Sequence, residues 1–376
     1  MKKKFPTKKL FTYLPITVGV VSIPLLIGLN IKKVNVINIA GSSSIQPFLN
    51  DVANKIEKTN FETNIQSRGS TFGILNSVKQ ENTLGVASKS PRETINEYKL
   101  NDVWKNRKMK TITFGLEGIG LLAKLPKELD PNKVEINQNN INELYKAFAG
   151  KEKVNIKNFI NDNSIKEKFD FNWKPFAKNG GAFSSGTAES FLLNSGFKNK
   201  IPKNISDVLE GKENYGKNTK ITAESNLEAF NYFKNEGKEI GSITYLSLGF
   251  ILNHIEEIKK MGYSLINVNY GNGPIVPSNE NIQSGKYKWT RPFNLLASLD
   301  KIKPYVKKFI KELMFTNNYD YLYKEHGILK LSNKDLKKMF KLTKDEIDNL
   351  NFNLKENLGK FYYDDYSLNR YGVEHE

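Results

Sequence analysis

Val34-Asn35-Val36-Ile37-Asn38-Ile39-Ala40-Gly41-Ser42-Ser43-Ser44-Ile45-Gln46-Pro47-Phe48-Leu49 decides how this chain is read. A β-branched run predicts a strand, four small residues predict a turn, and Ile45, Phe48, Leu49, Val52 and Ile56 recur at the three- and four-residue spacing of a helix. The arrangement returns twice. Arg68-Gly69-Ser70-Thr71 follows the strand-like Glu62 to Gln66 and opens a second helical pattern, and Ser184-Ser185-Gly186-Thr187 opens a third through Leu193. Each helix start carries backbone N–H groups without intrahelical partners and the positive end of the macrodipole, so an anion there meets donors already in place. Serine and threonine are also the ordinary N-cap residues, so a single copy is only a cap. Three copies become a site if the fold brings them together.

The 376 residues are enough for about two domains. With 57 Lys and Arg against 40 Asp and Glu the formal charge is +17, which suits nucleic acid, an anionic surface or a small anion. Seven of the positive charges fall in the first 33 residues, which contain no acid. The rest is spread without a basic tract or interleaved aromatic stripe, which argues against a nucleic-acid partner.

Lys2, Lys3, Lys4, Lys8 and Lys9 precede an uncharged stretch from Leu10 to Ile31, closed by Lys32 and Lys33. At about 1.5 Å per residue such a stretch spans a hydrocarbon core of roughly 30 Å. The charge bias keeps the N-terminal side in the cytoplasm and exports the remainder. A cleaved signal peptide normally ends in small residues, whereas this run ends in Leu29-Asn30-Ile31, so residues 1–33 read as an uncleaved signal-anchor. No cysteine occurs, so disulfides and thiol chemistry are excluded.

Beyond Val34, short β-like runs alternate with helical periods, which predicts an α/β fold with largely parallel sheets. Leu84 to Ala87 is a third strand, and Lys110 to Lys124 reads as two extended runs joined near Glu117-Gly118. Its Gly115-x-x-Gly118-x-Gly120 opens no helix and is not a dinucleotide fingerprint. Asn140 to Gly150 reads as a capped helix, Ile240 to Tyr245 and Leu265 to Val268 as strands, and Thr343-x-x-Glu346 as a capping box. His254, His326 and His375 show no metal spacing and read as surface or packing residues. Walker loop, G-x-S-x-G elbow and HExxH are all absent, so neither a cofactor nor a metal is expected.

Taken together, these segments resemble the phosphate-binding proteins of phosphate ABC importers, a branch of the type II periplasmic binding proteins. Ala40-Gly41-Ser42-Ser43-Ser44, Ser67-Arg68-Gly69-Ser70-Thr71, Leu84-Gly85-Val86-Ala87-Ser88, Ser185-Gly186-Thr187-Ala188-Glu189-Ser190-Phe191, Ile240-Gly241-Ser242 and Tyr287-Lys288-Trp289-Thr290-Arg291-Pro292 are similar to that family's motifs and stand in its order. The resemblance implies two α/β lobes, each a mixed sheet flanked by helices, joined by two hinge crossings. Residues 34–114 and 268–376 would form one lobe and 115–267 the other. It implies a monomeric extracytoplasmic protein that captures inorganic phosphate between the lobes and hands it to permease subunits, without catalysis. Ser43, Ser44, Ser70, Ser185, Gly186 and Thr187 would bind the anion, with Ser42, Arg68 and Lys89 as additional contacts.

Two positions depart from the family. Lys89 stands where an aspartate often accepts the proton of hydrogen phosphate, and Gly181 stands where an arginine is usual. Arg68, Lys89 and Lys178 are the candidates for the missing charge, Arg68 first because it abuts Gly69-Ser70. These departures leave open another tetrahedral oxyanion. A membrane-anchored phosphoester hydrolase and a surface adhesin are weaker alternatives.

Overall fold

In the computed structural model the described residues run from 35 to 346, without 57–60, 80–82, 90, 199, 299–302, 341 and 344. The expected anchor, residues 1–33, lies outside them. Among the described residues no helix is long and apolar enough to cross a membrane.

The strands are β1 (Asn35–Gly41), β2 (Phe61–Ser67), β3 (Thr83–Ala87), β4 (Met109–Lys124), β5 (Glu135–Asn137), β6 (Lys174–Lys178), β7 (Lys220–Thr222), β8 (Ser242–Ser247), β9 (Tyr263–Leu265), β10 (Asn267–Asn269), β11 (Pro274–Ile275), β12 (Thr290–Ser298) and β13 (Leu329–Lys330). One sheet runs β2-β1-β3-β12-β4-β8-β6-β7, with β13 and β9 also paired to β4, while β11-β10-β5 form a small second sheet. β1 pairs in parallel with β2 and β3. β6 pairs in parallel with β7 and β8. Parallel strands need crossover connections, and the helices Gln46–Ile56, Ser70–Lys79 and Asn226–Glu236 supply them.

Lys110 to Lys124, expected as two runs, belongs to a single strand. β4 is buried on both faces from Thr111 to Ala123, the near-continuous apolar pattern of a covered strand. Its neighbours change where the two runs were expected to join. Up to Gly118 it pairs antiparallel with β12, and from Ile119 with β8. The glycines serve close packing. A Cβ at Gly118 or Gly120 would lie 2.7 Å from Ile282 or Ile251, so only glycine lets those side chains rest on the strand.

The amphipathic pattern of Gln46–Ile56 buries Phe48, Leu49, Val52, Ala53 and Ile56 against the sheet, where Phe48 meets the rings of Phe114 and Tyr323. Asn140 caps differently from expectation. Its Oδ1 accepts from the backbone of Asn137 rather than from the helix, while Gly150 ends that helix in the left-handed conformation. The capping box is reciprocal, Thr343 N–H and hydroxyl reaching Glu346 and the Glu346 N–H returning to Thr343 Oγ1 at 3.2 Å.

Candidate functional site

Every expected anion loop follows the C-terminal end of a strand, which is where open α/β sheets place ligands. Ser42 to Ser44 follow β1, Arg68 and Gly69 follow β2, Ser88 and Lys89 follow β3, and Ser184 to Thr187 lie beyond β6. The first two loops are tied together through Gly41, whose carbonyl accepts from the N–H groups of Arg68 and Gly69 at 3.1 and 3.0 Å. At Gly41 φ is +148°, and a Cβ would lie 1.9 Å from the carbonyl oxygen of Val86. No other residue fits there.

Four hydroxyls form one chain. Ser42 Oγ is 3.0 Å from Ser44 Oγ and 3.2 Å from Ser88 Oγ, which is 3.0 Å from Ser70 Oγ. Ser88 was not among the expected contacts, and it is fully buried at the centre. Ser43 and Ser44 are exposed towards the adjoining cleft. The third loop closes on this chain. A Cβ at Gly186 would lie 2.8 Å from Ser88 Oγ and 3.7 Å from Ser44 Oγ. Ser185 caps the helix Gly186–Leu193 by accepting from the Ala188 N–H, and Thr187 is buried in its first turn. Tertiary structure therefore brings the three helix starts together.

The cation beside them is Arg291, at the start of β12. It is wholly buried, and its Nε donates to Glu117 Oε2 at 2.6 Å while Nη2 pairs with the same carboxylate and reaches Thr187 Oγ1 at 3.4 Å. The other Glu117 oxygen accepts from the Ser247 hydroxyl. Among the described residues Nη1 has no hydrogen-bond partner, and it lies 2.8 Å from where a Gly186 Cβ would be. A buried guanidinium with one arm unsatisfied is costly unless a ligand completes it. The sequence names neither Arg291 nor Glu117 as a contact, although Arg291 lies in the Tyr287 to Pro292 segment and Glu117 at the expected strand junction.

Arg68, Lys89 and Lys178, the sequence candidates for that charge, each have a partner of their own. Arg68 lies over the ring of Phe72 at 5.2 Å. Lys89 pairs with Glu189 at 2.9 Å, linking the loop after β3 to the helix Gly186–Leu193. Gly181 has φ +55° and a Cβ there would lie 2.3 Å from the carbonyl oxygen of Leu209, so the backbone itself bars an arginine. Lys178 is buried at the end of β6 and donates to the Glu224 carbonyl at 2.8 Å. Burial first, and then the charge of Arg291, push its pKa down to about 7.

A cleft of about 600 Å³ adjoins the cluster, lined by Ser43, Ser44, Ser184 to Thr187, Glu117 and Ser247, and also by Phe250, His254 and His326. Two of the three histidines, expected on the surface or in packing, thus face this space. His326 Nε2 is 2.7 Å from Asp51 Oδ2, and His254 stacks on Phe250 at 4.2 Å. His375 lies outside the described residues. Among those residues no group of three acidic, histidine or cysteine side chains could hold a metal.

Comparison with known proteins agrees with this architecture. The profile of the PBP superfamily domain matches residues 31–316. A protein of Mycoplasma genitalium named an uncharacterized lipoprotein is 34% identical over 355 residues, covering 89% of this chain and 91% of its own. PstS from Borrelia burgdorferi superposes with TM-score 0.51 at 20% identity, covering 80% of this chain and all of that one. An ABC-type phosphate transport receptor from Vibrio cholerae gives TM-score 0.53 at 18% identity, covering 79% of this chain and all of that one. The strand order, the loops at the strand ends and these matches lead to one conclusion: this chain belongs to the PBP superfamily.

Proposed function

We propose that this protein is an extracytoplasmic solute-binding protein that captures inorganic phosphate and presents it to the permease of an ABC importer. The observation that carries this reading is the buried Arg291, whose unpartnered Nη1 lies beside Gly186, the glycine that also packs against the hydroxyls of Ser88 and Ser44. Fixed hydroxyl, amide and guanidinium donors replace the water shed by a buried anion. The Vibrio protein of similar fold, named a phosphate transport receptor, supports the same ligand. Residues 34–114 with 268–376, and 115–267, are the lobes that would close on it, with β4 and β12 as hinge strands and Lys89–Glu189 as a link across the cleft.

Glu117 supplies the selectivity that Lys89 cannot. A buried carboxylate next to an anion repels it unless a proton lies between them. Phosphate at neutral pH still carries a proton to donate to Glu117, and sulfate does not. The protein acts as a monomer, held to the membrane by residues 10–31. The Mycoplasma relative, named a lipoprotein, supports attachment to a membrane.

Titration calorimetry with phosphate and sulfate in parallel tests this. Saturable binding of phosphate and at least about a hundredfold preference over sulfate are expected, the scale of a site whose buried polar groups go unpaired with the wrong ligand. Equal affinities would overturn the role of Glu117, and no saturable phosphate binding would overturn the function.

A further inference from the structure

Positive charge that lies scattered along the sequence is gathered by the fold at one end of the sheet. Asn35 opens β1 opposite Phe61 of β2, and β3 begins at Thr83 opposite Asn38. Ser298, at the end of β12, pairs with Met109 at the start of β4, and the antiparallel pairing of β12 with β3 sets that same end beside the start of β3. These strand ends form one pole, opposite the anion loops, which follow the other ends of β1, β2 and β3. The sequence segments that connect these strand ends to their helices, residues 54–62, 79–83, 101–110 and 298–308, hold eleven Lys and Arg against five acids. Those 35 residues supply six of the ten net positive charges that follow residue 33. Lys55, Lys79, Lys105, Lys108, Lys303 and Lys308 are all exposed.

We propose that this basic pole rests on the anionic lipid headgroups of the membrane that holds the protein. This rests on the reading of residues 10–31 as the anchor. Lys and Arg near a negatively charged surface are attracted to it, and the attraction decays within a Debye length, about 8 Å at physiological salt, so the charges act only when held close. The chain supplies that closeness. Only Lys32, Lys33 and Val34 separate the uncharged stretch ending at Ile31 from Asn35, a reach of at most about 14 Å even when fully extended. A free polyanion such as nucleic acid gains nothing from this tether, whereas the lipid surface is brought to the pole by the covalent chain. Exposed lysines suffice, because a surface field needs no buried partner. β1 is seven residues long, so the anion loops at its other end stand up to about 20 Å further from the lipid, where solute can reach them.

Energy transfer on the full chain in lipid discs tests this. The sequence has no cysteine, so Asn106→Cys, exposed at the pole, takes a single dye, and labelled headgroups serve as acceptors. Transfer is expected to be at least about twofold higher in discs containing about one third phosphatidylglycerol than in phosphatidylcholine discs, and to fall to the neutral value near about 0.5 M salt. Lys55→Gln, Lys105→Gln, Lys303→Gln and Lys308→Gln together should abolish the difference and leave phosphate titration unchanged. Equal transfer in both lipids, or a difference that survives the four replacements, overturns the proposal and leaves the anchor standing. If the chain migrates with discs of neither kind, anchor and proposal fall together. Release of the pole from anionic discs by a DNA duplex at equal phosphate concentration makes it a nucleic-acid surface and overturns the proposal as well.

Discussion

Replacing Arg291 by methionine removes the guanidinium while keeping most of its apolar length, and two separate losses should follow. The first is stability. Arg291 is wholly buried, and Glu117 would keep only its bond to Ser247. Breaking a buried pair from one side costs about 3–5 kcal/mol, because the remaining charge is stranded in low dielectric. The second loss is affinity. One charge-assisted hydrogen bond to the anion, worth roughly 1.5–3 kcal/mol, corresponds to about 10- to 150-fold in phosphate dissociation constant. The two separate in the double variant Arg291→Met with Glu117→Gln. With both charges gone, most of the stability should return, as replacement of buried pairs by neutral groups is often tolerated. Affinity should not. Urea denaturation without ligand reads the first quantity and calorimetry the second. Phosphate affinity unchanged in Arg291→Met itself would show that Arg291 only props the fold, and the assignment of its Nη1 to the anion would be wrong.

Two further outcomes follow from the same geometry. Gly186→Ala places a methyl 2.8 Å from both Arg291 Nη1 and Ser88 Oγ, so the donors must part, and phosphate affinity should drop by about tenfold or more, seen by calorimetry. Lys178 gives a pH signature. Folded, it releases its proton near pH 7, whereas unfolded it holds it to its ordinary 10.5, so unfolding takes up a proton between these values and the unfolding free energy rises with pH through that window. Lys178→Met should remove that rise, up to about 1.4 kcal/mol per pH unit, in denaturation curves taken from pH 7 to 10. Parallel slopes for the two proteins would show that the lysine stays charged in the fold.

The anion loops were legible in sequence because they are local. A strand end, a glycine that must approach a neighbouring backbone and a hydroxyl cap fall within a few residues, as in Gly41 to Ser44 or Ser185 to Thr187. The central charge was not legible, because it is a long-range pair. Arg291 and Glu117 are 174 positions apart, and they meet because β12 pairs with β4 in a register that sets Arg291 opposite Glu117. Arg68, the candidate that adjoins an anion loop in sequence, lies over the ring of Phe72. His326 belongs to the cleft through Asp51, 275 residues away.

From the amino acids alone came the α/β alternation, the three hydroxyl-bearing helix starts and the absence of cysteine, all set by neighbours in the chain. Convergence of those starts on Ser88, the pairing of Arg291 with Glu117 and the cleft beside them depend on strand order and register. Those are properties of packing between distant segments, where burial turns a surface-type arginine and glutamate into a pair that must find partners, and only the tertiary structure decides which ones they meet.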